Sequence, residues 1–84
     1  MASATIKVYT TDHCPQCQQA KTFLKQNSHA FEEINVSADV AKQQEMIILT
    51  GGYRQVPVIV VEANGRQEVI KGFDRPKLEQ ALQA

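Results

Sequence analysis

Cys14 and Cys17 are the only two cysteines of this chain, with Pro15 and Gln16 between them. A separation of three residues at the start of a helix places their Cα atoms about 5–6 Å apart, within reach of a disulfide. Cys14 falls at the N-terminus of the helix that Pro15 opens. There, unpaired backbone N–H groups and the positive end of the helix dipole favour a thiolate. Proline suits that first turn, because the N–H it lacks has no helical partner. Cys17 lies one turn further in, on the same face as Ala20 and Leu24, and is expected to be the less accessible sulfur. The chemistry these positions imply is reversible thiol–disulfide exchange, with Cys14 attacking and Cys17 resolving.

Magnitudes show what such a site gains. A thiol lowered from about 8.5 to about 6 becomes roughly 90% thiolate at pH 7 instead of about 3%, a gain of about 30-fold. Its intrinsic nucleophilicity falls about 13- to 18-fold on a Brønsted slope of about 0.4–0.5, leaving a net gain in attack of only about twofold. The larger gain is in leaving-group ability, so the arrangement favours exchange in both directions. Other uses of the pair compete with this one. A structural zinc site needs two more ligands, and only His13 and His29 remain; His13, adjoining Cys14, is badly placed for a tetrahedron. Two inert core cysteines are the plainer alternative, and a cluster held between two chains is a third.

The elements that position the pair can be read along the chain. Ile6–Thr10 alternates and is rich in β-formers, giving a first strand. Asp12 to Pro15 breaks it, and Pro15–Asn27 suits a helix with Cys17, Ala20, Phe23 and Leu24 on one face and Lys21 and Lys25 towards water. Phe31–Val36 reads as a second strand, with Ser37 or Asp39 capping a helix over Asp39–Thr50. Periodicity blurs in the apolar run Met46-Ile47-Ile48-Leu49, and Gly51-Gly52 ends the helix. Val58–Val61 is a buried strand, Asn64-Gly65 a hairpin signal, and Glu68–Ile70 the returning strand. Gly72–Asp74 turns into a last helix with Leu78, Ala81 and Leu82 on its apolar stripe, Asp74 as a cap and Pro76 in its first turn. A right-handed crossover makes the first two strands parallel, and the hairpin adds an antiparallel pair. The expectation is a single α/β domain over residues 1–84.

Composition narrows the partners. Nine Lys plus Arg balance nine Asp plus Glu, without a long run of either sign, so neither nucleic acid nor an anionic membrane is expected. The longest apolar run, Val56–Val61, is far too short to span a bilayer and contains Pro57. Met1–Thr5 lacks a basic segment followed by an apolar stretch, so no signal peptide is expected. The expected location is the cytoplasm, where close cysteine pairs are usually redox-active or metal-binding.

Over Thr5 to Leu82 the chain resembles the glutaredoxin family, which has the thioredoxin fold. Three segments in this order carry the resemblance: Cys14-Pro15-Gln16-Cys17 after a strand, Val56-Pro57 before another, and Gly72-Phe73-Asp74 before the last helix. It implies a four-stranded mixed sheet in the order 2-1-3-4 with three helices. It also implies a cis bond at Pro57, with the Val56 backbone free to pair with an extended substrate. In the family a Gly-Gly-x-Asp segment receives the γ-glutamyl end of glutathione; Gly72, Phe73 and Asp74 fall there, with Lys71 in place of the first glycine, while Asp74 also reads as a plain helix cap. Arg54 reads as a partner for a glutathione carboxylate or as a solvated loop residue, and His13 as a loop residue or as a cation that lowers the neighbouring thiol.

The activity implied is dithiol reduction of protein disulfides, glutathione mixed disulfides or both. It would run in a monomer with no bound cofactor and no metal, with glutathione as reductant. Gln16, Gln55, Lys71 and the Gly72-Phe73 pair followed by Pro76 instead resemble NrdH-type redoxins, which take electrons from thioredoxin reductase to supply ribonucleotide reductase. A glutathione-dependent iron–sulfur cluster protein, with the cluster bound through Cys14 of two chains, is the remaining alternative.

Overall fold

A computed structural model describes residues 5–63 and 65–83. Asn64 of the expected turn, and all of the N-terminal stretch but Thr5, lie outside them. The elements run β1 (Thr5–Thr10), α1 (Pro15–Gln26), β2 (Glu32–Asn35), α2 (Val40–Thr50), β3 (Val58–Ala63), β4 (Arg66–Lys71) and α3 (Arg75–Gln83). The strands form one sheet in the order β2-β1-β3-β4. β1 pairs parallel with β2 and antiparallel with β3, and β3 pairs antiparallel with β4. The strand order, the parallel β1–β2 pair, the antiparallel hairpin and the helix number are those the sequence and the resemblance imply.

The central strands are buried on both faces, and their alternation divides the core in two. Ile6, Val8, Ile59 and Val61 point to one side, where they meet Ala20, Phe23 and Leu24 of α1 and Leu78 of α3. Tyr9, Val58 and Val60 point to the other, where they meet Ile34, Val36 and Met46 of α2. α1 is thereby fixed through fully buried Ala20 and Leu24; truncating such a leucine costs about 2–5 kcal/mol.

α2 resolves the blurred run: Met46 is buried and Leu49 packs on the core, whereas Ile48 is 78% exposed. Asp39 caps this helix, its Oδ1 accepting from the N–H of Lys42 at 3.0 Å. Gly51 closes it in the left-handed region at φ 73°, and the N–H of Gly52 donates to Ile47 O at 2.9 Å. One expectation needs correcting. Lys21 does not face water: its side chain is only 15% exposed and its Nζ pairs with Glu33 Oε2 of β2 at 2.9 Å. The Glu33 carboxylate also accepts from the buried Thr10 hydroxyl at 2.9 Å, so α1, β1 and β2 meet at one acid.

Candidate active site

Strand register gathers the three singled-out segments. Tyr9 of β1 lies opposite Val58 of β3, and Val58 opposite Lys71 of β4. The chain leaves β1 towards Cys14, enters β3 from Val56-Pro57 and leaves β4 into Gly72, all at the same end of the sheet. The Val56–Pro57 peptide is cis. Pro57 is fully buried, and its carbonyl accepts from the N–H of Gly72 at 2.8 Å. Val56 is half-buried and precedes the sheet ladder, which begins at Val58.

Cys14 is the N-cap of α1, with extended backbone at φ −140°, and Pro15 follows in the first turn. Cys14 and Cys17 are joined as a disulfide, with Cα atoms 5.2 Å apart. The backbone N–H of Cys17 donates to Cys14 Sγ at 3.1 Å, so the helix terminus directs a donor at the outer sulfur. Cys14 is half-buried and Cys17 only 1% exposed, which matches the accessibility expected from the helical face. The approach from β1 is braced from β2. Asp12 N–H donates to Ser37 Oγ at 2.8 Å, and Asn35 Nδ2 donates to Asp12 Oδ1 at 2.9 Å. His13 is exposed.

Gly72 adopts φ 79°, a left-handed conformation that side chains disfavour. Phe73 turns its ring edge-on to Phe23, centroids 6.0 Å apart, and packs partly buried against the core. Asp74 caps α3: its Oδ1 accepts from Lys77 N–H at 3.3 Å, and its carbonyl accepts from Leu78 N–H at 2.9 Å. Arg75, in the first turn, sets its guanidinium 5.2 Å from the centroid of the Phe23 ring. Tyr53 lies in the loop between α2 and β3, where no spacing signal singles it out, and its hydroxyl would lie 3.7 Å from a Cβ placed at Gly72. Among the described residues no group of three or more His, Cys, Asp and Glu side chains is placed to hold a metal, and no helix is long and apolar enough to cross a membrane.

A cysteine disulfide at a helix N-terminus, on a sheet of this topology, defines a thiol–disulfide oxidoreductase of the thioredoxin fold. The glutaredoxin family model matches residues 6–67. A glutaredoxin-like 8.6 kDa protein encoded in the rubredoxin operon of Clostridium pasteurianum is 32% identical over 78 residues, spanning 93% of this chain and 97% of that protein. The crystal structure of the thioredoxin-like protein BC3987 superposes with a TM-score of 0.78 at 39% identity, covering 92% of this chain and 99% of that one. The glutaredoxin-like NrdH-redoxin of Escherichia coli, described as having a thioredoxin-like activity profile, superposes with a TM-score of 0.69 at 26% identity, covering 90% of this chain and 92% of that one. The chain belongs to the glutaredoxin family.

Proposed function

We propose that this protein is a cytoplasmic, monomeric dithiol reductase acting on protein disulfides and glutathione mixed disulfides, with glutathione as its electron source. The observation that carries the reading is the asymmetry of the pair: Cys14, half-buried, is the more exposed sulfur and faces the N–H of Cys17, while Cys17 is buried behind it. In the reduced protein the Cys14 thiolate attacks one sulfur of the target disulfide. A Cys14–substrate disulfide forms and the other target sulfur leaves as a thiolate. Cys17 then attacks Cys14 Sγ, forming the Cys14–Cys17 disulfide and releasing the substrate as a thiol. Two glutathiones return the two electrons, leaving as glutathione disulfide. Val56 supplies free backbone for an extended substrate, and Gly72, Phe73 and Asp74 are assigned to the γ-glutamyl end of glutathione.

A second reading is favoured by one particular likeness. The E. coli NrdH-redoxin shares the fold over most of both chains, and Lys71 departs from the glutathione-binding pattern by placing a side chain where glycine leaves the approach open. In that reading thioredoxin reductase supplies the electrons and ribonucleotide reductase receives them. The test offers the oxidised protein either glutathione with glutathione reductase or thioredoxin reductase alone, and follows NADPH consumption. Turnover with glutathione supports the first reading; turnover confined to thioredoxin reductase replaces it with the second.

A further inference from the structure

A groove of about 320 Å³ runs along the outer side of α1, between that helix and the turn that opens α3. Its floor is aromatic: buried Phe23 meets Phe73 edge-on, with centroids 6.0 Å apart. Gln18, Gln19, Thr22 and Gln26 form the α1 wall, all four exposed. Arg75 is the only charged lining residue among those described. The groove begins one turn below the outer sulfur, since the N–H of Gln18 donates to the carbonyl of Cys14 at 3.2 Å.

Two features mark this face as a surface for another protein. The first is its helical wall, which carries amides and a hydroxyl but no charge, while Lys21 and Lys25 lie outside it. Charge depletion around aromatic rings and an arginine is the composition of a protein interface. The second is Arg75, whose place α3 itself does not explain. It stands in the first turn, where the helix dipole opposes a cation. Its Nε meets Glu79 Oε2 only at 3.6 Å, and a base preceding an acid is the weaker order for such a pair. The Phe23 ring, 5.2 Å from the guanidinium, holds the charge at the groove.

We propose that this groove docks the protein whose disulfide Cys14 attacks, through a segment that lays apolar side chains on Phe23 and Phe73 and a carboxylate on Arg75. The inference rests on the reading that Cys14 is the attacking sulfur. Reach separates this occupant from glutathione. Along the helix axis Gln26 lies about 18 Å from Cys14, whereas a three-residue chain extends about 10 Å. A tripeptide joined to Cys14 therefore stops short of the far end of the groove, and a longer chain covers it.

The test uses the reduced full-length protein and peptides whose single cysteine is joined to thionitrobenzoate. Attack by Cys14 on the peptide sulfur forms the Cys14–peptide disulfide and releases coloured thionitrobenzoate thiolate. Three-residue peptides are compared with peptides of about twelve residues, which extend from the cysteine in either direction and carry Leu with either Asp or Lys. At low ionic strength the long acidic peptide should react about fivefold faster than the long basic one. That preference should shrink at about 0.5 M salt, where the Debye length is about 4 Å. Arg75→Glu should reverse it. Gln19→Glu should weaken it and Gln19→Lys strengthen it, which keeps the assignment testable if Arg75→Glu unfolds. Lys25→Glu makes the same charge change outside the groove and should leave the preference in place. The three-residue peptides should react alike in all these proteins. If even they react no faster than with free glutathione, the underlying reading fails. Equal rates for the long acidic and basic peptides, or a preference that Lys25→Glu removes as fully as Arg75→Glu, overturn the groove assignment.

Discussion

The N–H of Gly72 donates to the carbonyl of Pro57 across 2.8 Å, joining the turn before α3 to the segment before β3 at the cysteine end of the sheet. In making that bond the backbone of Gly72 holds φ 79°. A Cβ there would sit 3.7 Å from the Tyr53 hydroxyl, an ordinary contact, so the obstacle to a side chain is the backbone conformation rather than space. Gly72→Ala is expected to lower stability by about 1–2 kcal/mol. Gly72→Asn should lose less, since asparagine tolerates the left-handed region better. Urea unfolding of the three proteins measures the order; an alanine variant as stable as the parent would contradict it.

The difference in burial between the two sulfurs has a direct chemical consequence. In reduced protein at neutral pH, iodoacetamide should label Cys14 well before Cys17, which is 1% exposed. Cys17→Ser should still form a mixed disulfide through Cys14 but have no internal thiolate to resolve it, so it should accumulate as a covalent adduct with protein substrates. Cys14→Ser should form none. Mass spectrometry of the alkylated and trapped species checks all three outcomes, and first labelling at Cys17 would reverse the assigned roles.

How far the sequence carried these positions depended on whether the cause was local. The face of α1 was legible because Cys17, Ala20 and Leu24 repeat at helical spacing and all three are buried. The cap at Asp39 and the stop at Gly51 were legible because each acts within a few residues of itself. Ile48 was not, since a continuous apolar run carries no period; only the packing of α2 shows that Ile48 is left outside. Lys21 looked solvent-facing because its partner Glu33 lies on another element. Thr50 ends α2 at the expected place, but its burial carries no local signal: its hydroxyl donates to Met46 O at 2.9 Å and accepts from Tyr53 N–H at 3.0 Å. The neighbourhood of Tyr53 and Gly72 depends on contacts between distant segments that no spacing rule encodes.

Glu33 makes the junction of α1, β1 and β2 sensitive to acid. The hydrogen bond from Lys21 holds its carboxyl below the ordinary value of 4.5, against the opposing effect of burial, and the Thr10 hydroxyl assists. Because the folded value is depressed, the unfolded chain takes up this proton first as pH falls. The contribution is complete above the unfolded value and is lost as pH drops through the folded one. The side chain is 38% exposed, so solvent screening keeps the effect small, about 0.5–1 kcal/mol. Glu33→Gln should be less stable than the parent at pH 7, with the gap closing below about pH 4. Denaturant midpoints across that range measure it, and a constant gap would refute the ionic origin.

Tyr9 sets the opposite limit. Its ring is fully buried beneath α2, and its hydroxyl donates to Glu45 Oε1 at 2.9 Å. Burial, and then the hydrogen bond to an anionic acceptor, push its phenol from 10.0 up to about 12. Below pH 10 both folded and unfolded chains keep the proton, and stability is unaffected. As pH rises from 10.0 towards about 12 the unfolded chain loses the proton while the folded chain retains it. Unfolding is then favoured, and stability falls across that window. Tyr9→Phe removes the titration while preserving the ring. It should cost about 0.5–1.5 kcal/mol at pH 7 through the lost hydrogen bond. Between pH 10 and pH 11 the parent should lose about 1 kcal/mol more than the variant. All other groups titrate in both proteins, so the difference between their curves isolates Tyr9. Parallel curves through that window would mean that the phenol is not held neutral by the fold.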